Sequence, residues 1–237
     1  VKKLFSFKEG LKAGIPIAVG YLPVAIAFGL MAKAAGIPNY VGILMSIIIY
    51  AGASQFVGVN LLMLGTASWE IVLTTFILNL RHFLMSASLS QSLKPDSKKA
   101  LLPLVSFGVT DETFTVASMN TGDKLDINYL LGLNLIAYGA WNLGTWCGLF
   151  LASGLPQSLK DSMGIALYAM FIGLLVPSAA KSKPVLIIGL TAAAVHTFIR
   201  LLPLFAGLSA GWGIIISTII AAAVGAYLYP QEEVQDA

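Results

Sequence analysis

The amino-acid sequence predicts an all-α protein that crosses a membrane several times, and three observations carry that reading. Hydrophobic residues make up 57% of the 237 positions and charged residues 11%, against about 25% charged in soluble domains. Mean hydropathy is +0.85, which leaves too little polar surface to coat a water-facing globule. The apolar residues also gather into about eight segments, near 11–35, 39–64, 69–90, 100–119, 128–152, 162–180, 184–202 and 211–229. Each approaches the ~20 residues that a helix needs to cross hydrocarbon. Connections are short and composition does not shift, so residues 1–237 read as one transmembrane domain.

Charge and cysteine content narrow the class further. The net charge is +3, with Lys2, Lys3, Lys8 and Lys12 crowded at the start. That cluster suits a cytoplasmic N-terminus beside anionic lipid and does not imply nucleic-acid binding. The expectation is a multi-pass protein of the cytoplasmic (inner) membrane. Cys147 is the single cysteine, so there is no internal disulfide and no cysteine-built metal site. His82 and His196 have no ligand-spaced acids beside them, and neither a metal nor a cofactor is expected. The first apolar run is too long for a cleaved signal peptide and is read as structure.

Segment one carries Pro16 and Pro23 among Gly14, Gly20 and Gly29. Proline lacks a donor and crowds the preceding turn, which predicts a kink or an interruption. Segment two carries Tyr50-Ala-Gly-Ala-Ser-Gln-Phe56 at its middle. On a continuous helix Ser46, Tyr50 and Ser54 share one face, with Gln55 beside them. A buried amide and a phenol both need partners, although Gly52, Ala53 and Ser54 also suit close helix packing. Segment three has Thr75, Asn79, His82 and Ser86 on one helical face, with Arg81 on the next. Segment five places Asn134, Tyr138, Trp141 and Thr145 on one face, and interhelical hydrogen bonding explains them as well as binding does. Arg200, near the end of segment seven, suits the membrane interface.

Segment four is the costly one. Ser106-Phe-Gly-Val-Thr-Asp-Glu-Thr-Phe114 places Thr110, Asp111, Glu112 and Thr113 inside an apolar run. A carboxylate at the centre of a span costs roughly 2.5–3.5 kcal/mol on insertion scales, so two adjacent acids require a partner, water or a cation. Asn79, Arg81 and His82 lie at similar depth, and Arg81 is expected to pair with Asp111 or Glu112. An ion pair of purely structural purpose would satisfy the same residues.

A weak internal repeat relates Gly36-Ile-Pro38 and Tyr50-Ala51 to Gly154-Leu-Pro156 and Tyr168-Ala169 at one constant offset. Its halves are residues 11–119 and 128–229. Eight simple crossings from a cytoplasmic N-terminus put the basic loop Lys94–Lys99 outside, against the positive-inside rule. Both that loop and Lys181–Lys183 come inside if one of the first two segments, and one of segments five and six, fails to cross. The two repeats are then inverted, with broken or re-entrant helices and a site near the midplane. The break is expected in the proline-bearing first segment or the glycine-rich second.

Tyr50-Ala-Gly-Ala-Ser-Gln-Phe56, Asn79-Leu-Arg-His82 and Thr110-Asp-Glu-Thr-Phe114 together resemble the AzlC family, over nearly the whole chain. These are large subunits of branched-chain amino acid exporters. The resemblance implies efflux of leucine, isoleucine, valine and methionine, and a small membrane partner of the AzlD type.

The residues themselves agree in kind. An aliphatic zwitterion needs an acceptor for its ammonium, donors for its carboxylate and an apolar pocket. Asp111 or Glu112 suits the ammonium; Arg81, or free N–H groups at a broken helix, suits the carboxylate. Tyr50, Ser54, Gln55, Asn79 and Thr110 complete the expected substrate site. His82, with an ordinary pKa of about 6.5, forms a proton relay with Asp111 or Glu112, so proton-coupled export leads. Uptake by a permease and a non-transporting membrane subunit are the alternatives; the second leaves the cost of the mid-membrane charges unexplained. An intramembrane hydrolase using Ser54 and His82 is disfavoured. Gln55 follows Ser54 where rhomboid-type serine enzymes have glycine, and no companion motif is present.

Overall fold

The computed structural model describes residues 6–119, 124–151, 154, 156, 158, 172, 175–176, 178–205 and 207–230. Most of the expected sixth segment, and Tyr168-Ala169 of the repeat, fall outside these. Among the described residues every regular element is helical, apart from an isolated bridge between Leu93 and Leu125. Four helices among the described residues are long and apolar enough to cross a membrane: α1 (Phe7–Ala34), α4 (Ser68–Gln91), α8 (Lys183–Leu201) and α9 (Ala210–Leu228). The protein is a multi-pass membrane protein. Its chain forms two compact units, one of Val1–Val59 with Leu78–Leu167, the other of Asn60–Ile77 with Tyr168–Ala237.

The first unit is built on α1 and α7 (Ile127–Leu151), which lie side by side and run in the same direction. Glycines permit the approach. A Cβ on Gly10 would meet the Tyr129 carbonyl oxygen at 2.0 Å, one on Gly132 the Phe7 oxygen at 2.1 Å, and one on Gly148 the Ile26 oxygen at 2.2 Å. Small residues let helix backbones pack closely where hydrocarbon supplies no hydrophobic drive. Pro16 and Pro23 do not interrupt α1, which is continuous over 28 residues. Contact along the whole of α7 holds the helix through both positions. If segments one and five are repeat equivalents, their shared direction is not the inverted relation expected of them.

Two hairpins enter the unit from opposite ends of this pair. The first contains α2 (Asn39–Leu44), a π-helical turn (Met45–Ile49) and α3 (Gly52–Met63). It starts at the distal end, where α1 and α7 finish: Lys33 Nζ donates to Asn39 Oδ1 at 2.8 Å, and Gly42 lies on Leu149. It turns at Tyr50, whose φ of 44° is left-handed, and Phe56 of the returning arm packs edge-on against Phe28. Segment two is therefore broken, and Ser46, Tyr50 and Ser54 do not share one helical face.

The second hairpin contains α5 (Leu102–Phe107) and α6 (Asp111–Ser118). It starts and finishes at the basal end, where α1 and α7 begin. Leu125 N–H donates to the Ser92 oxygen at 2.8 Å, and Lys94 pairs with Asp126 at 2.9 Å, so the chain before α5 lies beside the chain before α7. Segment four thus enters and returns. Its turn at Gly108–Thr110 follows from local chemistry. Gly108 leaves room for Asn134, and Thr110 caps α6 in a reciprocal box with Thr113.

In the second unit α8 and α9 pack antiparallel, with Gly213 against His196 and Gly225 against Ile188. The first turn of α4 joins them through Glu70, only 5% exposed. Its carboxylate accepts from the Ser209 hydroxyl and from the Trp212 N–H at 3.2 Å. A carboxylate at a helix N-terminus completes its free donors and dipole.

Candidate functional site

The turns of the two hairpins meet at the middle of α7. The rings of Tyr50 and Phe107 lie 6.0 Å apart, and each packs edge-on against Tyr138, at 4.9 and 5.8 Å. Such pairs are worth about 0.5–1.5 kcal/mol beyond the area they bury. Tyr138 donates to the Ile47 carbonyl at 2.9 Å, and Asn134 Nδ2 to the Val105 carbonyl at 2.9 Å. These acceptors sit at the ends of the two interrupted arms, where helical partners run out. Trp141 Nε1 donates to Gln55 Oε1 at 3.0 Å, Gln55 Nε2 donates to Ser46 Oγ at 3.0 Å, and Ser46 and Thr145 hydroxyls lie 2.7 Å apart. The polar face of segment five is thus the scaffold that satisfies both breaks.

Arg81 and Asp111 form the expected ion pair at 2.7 Å; Glu112 is not its partner. His82 lies within electrostatic reach of both members. Asn79 Oδ1 accepts from the Ser54 hydroxyl at 2.6 Å, tying α4 to the first hairpin. Glu112 faces α1 instead, where Tyr21 Oη lies 2.5 Å from its Oε2 and 2.7 Å from Thr110 Oγ1. Tyr21 packs edge-on on Trp141 at 5.4 Å, and Trp141 lies against Gly52. One aromatic pair therefore connects the start of α6 with the start of α3.

The two helix starts differ in charge. The first turn of α6 carries Asp111 and Glu112, and the first turn of α3 carries no acid. N–H groups in the first turn of a helix lack helical acceptors and favour an anion. Tyr50, 3% exposed, has a hydroxyl with no hydrogen-bond partner, as has the buried Nε of Arg81. A groove of about 360 Å³ runs between α5 and α7, lined by Phe107, Gly108, Leu131, Asn134, Leu135 and Tyr138 among others. Its lining is mostly apolar.

The expected residues Tyr50, Ser54, Gln55, Asn79, Arg81, His82, Thr110, Asp111 and Glu112 all belong to the first unit, at or beside the two turns. Sequence reasoning missed Tyr21, although Gly10, Gly14, Ile17, Tyr21 and Phe28 share the buried face of α1 and Tyr21 is its polar member. It also missed Glu70, which is structural. Among the described residues no group of three or more His, Cys, Asp or Glu is placed to hold a metal ion.

A family model described as AzlC protein matches residues 16–155, a span that takes in both hairpins, most of α1 and all of α7. The chain is 34% identical to the inner membrane protein YgaZ of Escherichia coli (strain K12), over 75% of each chain. It is 35% identical to an uncharacterized membrane protein of Archaeoglobus fulgidus, over 75% of this chain and 78% of that one. With the branched-chain amino acid transport protein AzlC of Bacillus subtilis (strain 168) it shares 25% identity, over 75% and 70% of the two chains. No solved structure matches.

Proposed function

The chain belongs to the AzlC family, and from that premise we propose that it transports branched-chain amino acids across the cytoplasmic membrane. In this reading it is the large subunit of a two-component exporter for leucine, isoleucine, valine and methionine. A small AzlD-type membrane subunit completes it, and inward proton flow drives it. The substrate class follows that of the Bacillus subtilis relative, a branched-chain amino acid transport protein. The single observation that carries the mechanism is the meeting of two opposed, interrupted hairpins beside Tyr21 and Trp141.

A zwitterion needs two opposite poles close together. The acid-free start of α3 at Gly52, Ala53 and Ser54 offers N–H groups to a carboxylate. The acidic start of α6 offers Glu112 to an ammonium, since Asp111 is already engaged by Arg81. Tyr50, Gln55, Asn79 and Thr110 border the two starts, and the apolar groove beside Phe107 and Tyr138 suits an aliphatic side chain. His82 joins the proton relay. Lys8, Lys12, Lys94, Lys98, Lys99 and Lys124 all stand at the basal end, which supports a cytoplasmic basal face and N-terminus.

Counterflow of radiolabelled leucine in proteoliposomes tests the proposal, with and without the small subunit. Leucine should exchange in the two-subunit vesicles and compete with isoleucine and valine. Absence of exchange with both subunits present would overturn it.

A further inference from the structure

Among the acids in the first unit's polar centre, Glu112 alone is held by a partner that fits both of its charge states. We propose that Glu112 is the carboxyl that takes up and releases the coupling proton, and that Tyr21 is its positioning residue. This rests on the reading of the chain as a proton-coupled transporter.

A phenol has one proton and accepts through its oxygen. Tyr21 Oη reaches both Glu112 Oε2, at 2.5 Å, and Thr110 Oγ1, at 2.7 Å, and it cannot donate to both at once. When Glu112 is ionised, Tyr21 donates to the carboxylate and the Thr110 hydroxyl donates to Tyr21. When Glu112 is protonated the chain reverses. The Glu112 O–H donates to Tyr21, Tyr21 donates to Thr110, and the Thr110 hydroxyl turns to Thr113 Oγ1 at 3.3 Å. Thr113 in turn directs its own proton to the Gly108 carbonyl at 3.2 Å. Every hydroxyl is satisfied in both states, and no heavy atom has to move. The balance is one proton: it comes from water on one side, forms an O–H bond on Glu112, and returns to water on the other side. Tyr21 ends each cycle with the proton it started with.

The other groups are differently held. Asp111 Oδ2 is bound to Arg81 Nη1 at 2.7 Å, so a proton there would have to break an ion pair. The titratable or charged side chains gathered at the two hairpin turns beside Glu112 are Tyr21 on α1, Tyr50 before α3, Tyr138 on α7, and Arg81, His82 and Asp111 at the α4–α6 contact. None of the cations among them pairs directly with Glu112 among the described residues. Glu70 in the second unit is spent on the start of α9.

Two measurements on the reconstituted full chain with its small subunit test this. The first needs no substrate: the infrared carboxyl signal that appears as pH is lowered. It should vanish in Glu112→Gln and persist in Asp111→Asn. In Tyr21→Phe, which keeps the ring on Trp141, its midpoint should move to higher pH by about one unit, because the hydrogen bond lost to the carboxylate is stronger than the one lost to the protonated acid. Glu112→Asp, too short to reach Tyr21, should behave like Tyr21→Phe and guards against a Glu112→Gln protein that does not fold. The second is transport: Glu112→Gln should lose leucine accumulation driven by a pH gradient, and in Tyr21→Phe the pH dependence of that accumulation should move in the same direction as the infrared midpoint. A signal that survives Glu112→Gln, or that disappears in Asp111→Asn, overturns the assignment to Glu112. An unmoved midpoint in Tyr21→Phe overturns the role of Tyr21. Wild-type vesicles that titrate through Glu112 but move no leucine would instead overturn the transport reading alone.

Discussion

Arg81 Nη1 lies 2.7 Å from Asp111 Oδ2, joining the middle of α4 to the first residue of α6. The pair fixes the turn of the second hairpin against a helix that otherwise contacts the first hairpin through Asn79 and Ser54. It also divides the labour between adjacent acids, leaving Glu112 to Tyr21.

Neutralising one member of the pair leaves the other charge uncompensated. The loss is about 3–5 kcal/mol where a pair is wholly buried. With side chains 39% and 34% exposed, about 1–2 kcal/mol is expected here. Arg81→Gln and Asp111→Asn should each lower protein level and cut leucine flux roughly tenfold or more. The double variant should recover protein level while flux stays low. Near-normal flux in the double variant would show that the pair is structural.

Much of this arrangement was legible in the sequence, and the failures have physical causes. The ends of α1, α4, α7, α8 and α9 follow the apolar segments closely, because hydropathy over about 20 residues decides whether a helix can sit in hydrocarbon. The break at Tyr50 was within reach because small residues and a buried amide interrupt an apolar run there. The second break was missed because residues 100–119 read as one span. Gly108 followed by Thr110-x-x-Thr113 is nonetheless a helix stop and restart signal. Pro16 and Pro23 allowed an interruption that does not occur: a local rule permits a break there, and α1, packed against α7, runs on as one helix. Tyr21 was unreadable as a site residue because its significance depends on Glu112, which the chain brings to it only in three dimensions.

The close approach of α1 and α7 yields a simple contrast. A Cβ on Gly132 would meet the Phe7 carbonyl oxygen at 2.1 Å, a backbone atom that cannot turn away, and Gly20 has nothing within 4 Å. Gly132→Ala should destabilise the protein by about 1–3 kcal/mol, the range for overpacking, and Gly20→Ala should be neutral or slightly stabilising. Thermal unfolding in detergent separates them. Equal melting temperatures would argue against this helix pair.

At the basal end the hydrogen bond from Lys94 holds the Asp126 carboxyl below its ordinary range, and the Asn128 N–H adds to this. Asp126 raises Lys94 correspondingly. A depressed carboxyl stabilises the fold above its unfolded value of about 3.9, and that contribution is lost as pH falls through the folded value. A raised lysine contributes below its unfolded value of about 10.4, and the contribution is lost as pH rises through the folded one. Asp126→Asn should therefore lower the melting temperature at neutral pH and flatten the acid limb, meeting the wild-type profile at low pH. Asp126→Ala, which also removes the acceptor for the Asn128 N–H at 2.9 Å, should cost about 1 kcal/mol at neutral pH as well. An acid limb unchanged in Asp126→Asn would show that the pair is broken in solution.

The opposed hairpins make a topological prediction that does not depend on which face is cytoplasmic. Eight simple crossings place the connection after segment one and the connection after segment three on the same side of the membrane. If segment two enters and returns, those connections lie on opposite sides. Tyr40, 66% exposed, stands at the distal end where α2 begins, and Ser97 stands at the basal end beside Lys94, its N–H donating to the Lys94 carbonyl at 3.1 Å. In a Cys147→Ala background, Tyr40→Cys and Ser97→Cys should react with a membrane-impermeant thiol reagent from opposite faces. The basic basal end further assigns Ser97→Cys to the cytoplasmic face, and the positive-inside rule places Ser182→Cys, between Lys181 and Lys183, there as well. Labelling of Tyr40→Cys and Ser97→Cys from one common face would restore a full crossing for segment two. The start of α3 would then no longer lie at mid-membrane, and the carboxylate site proposed there would fall with it.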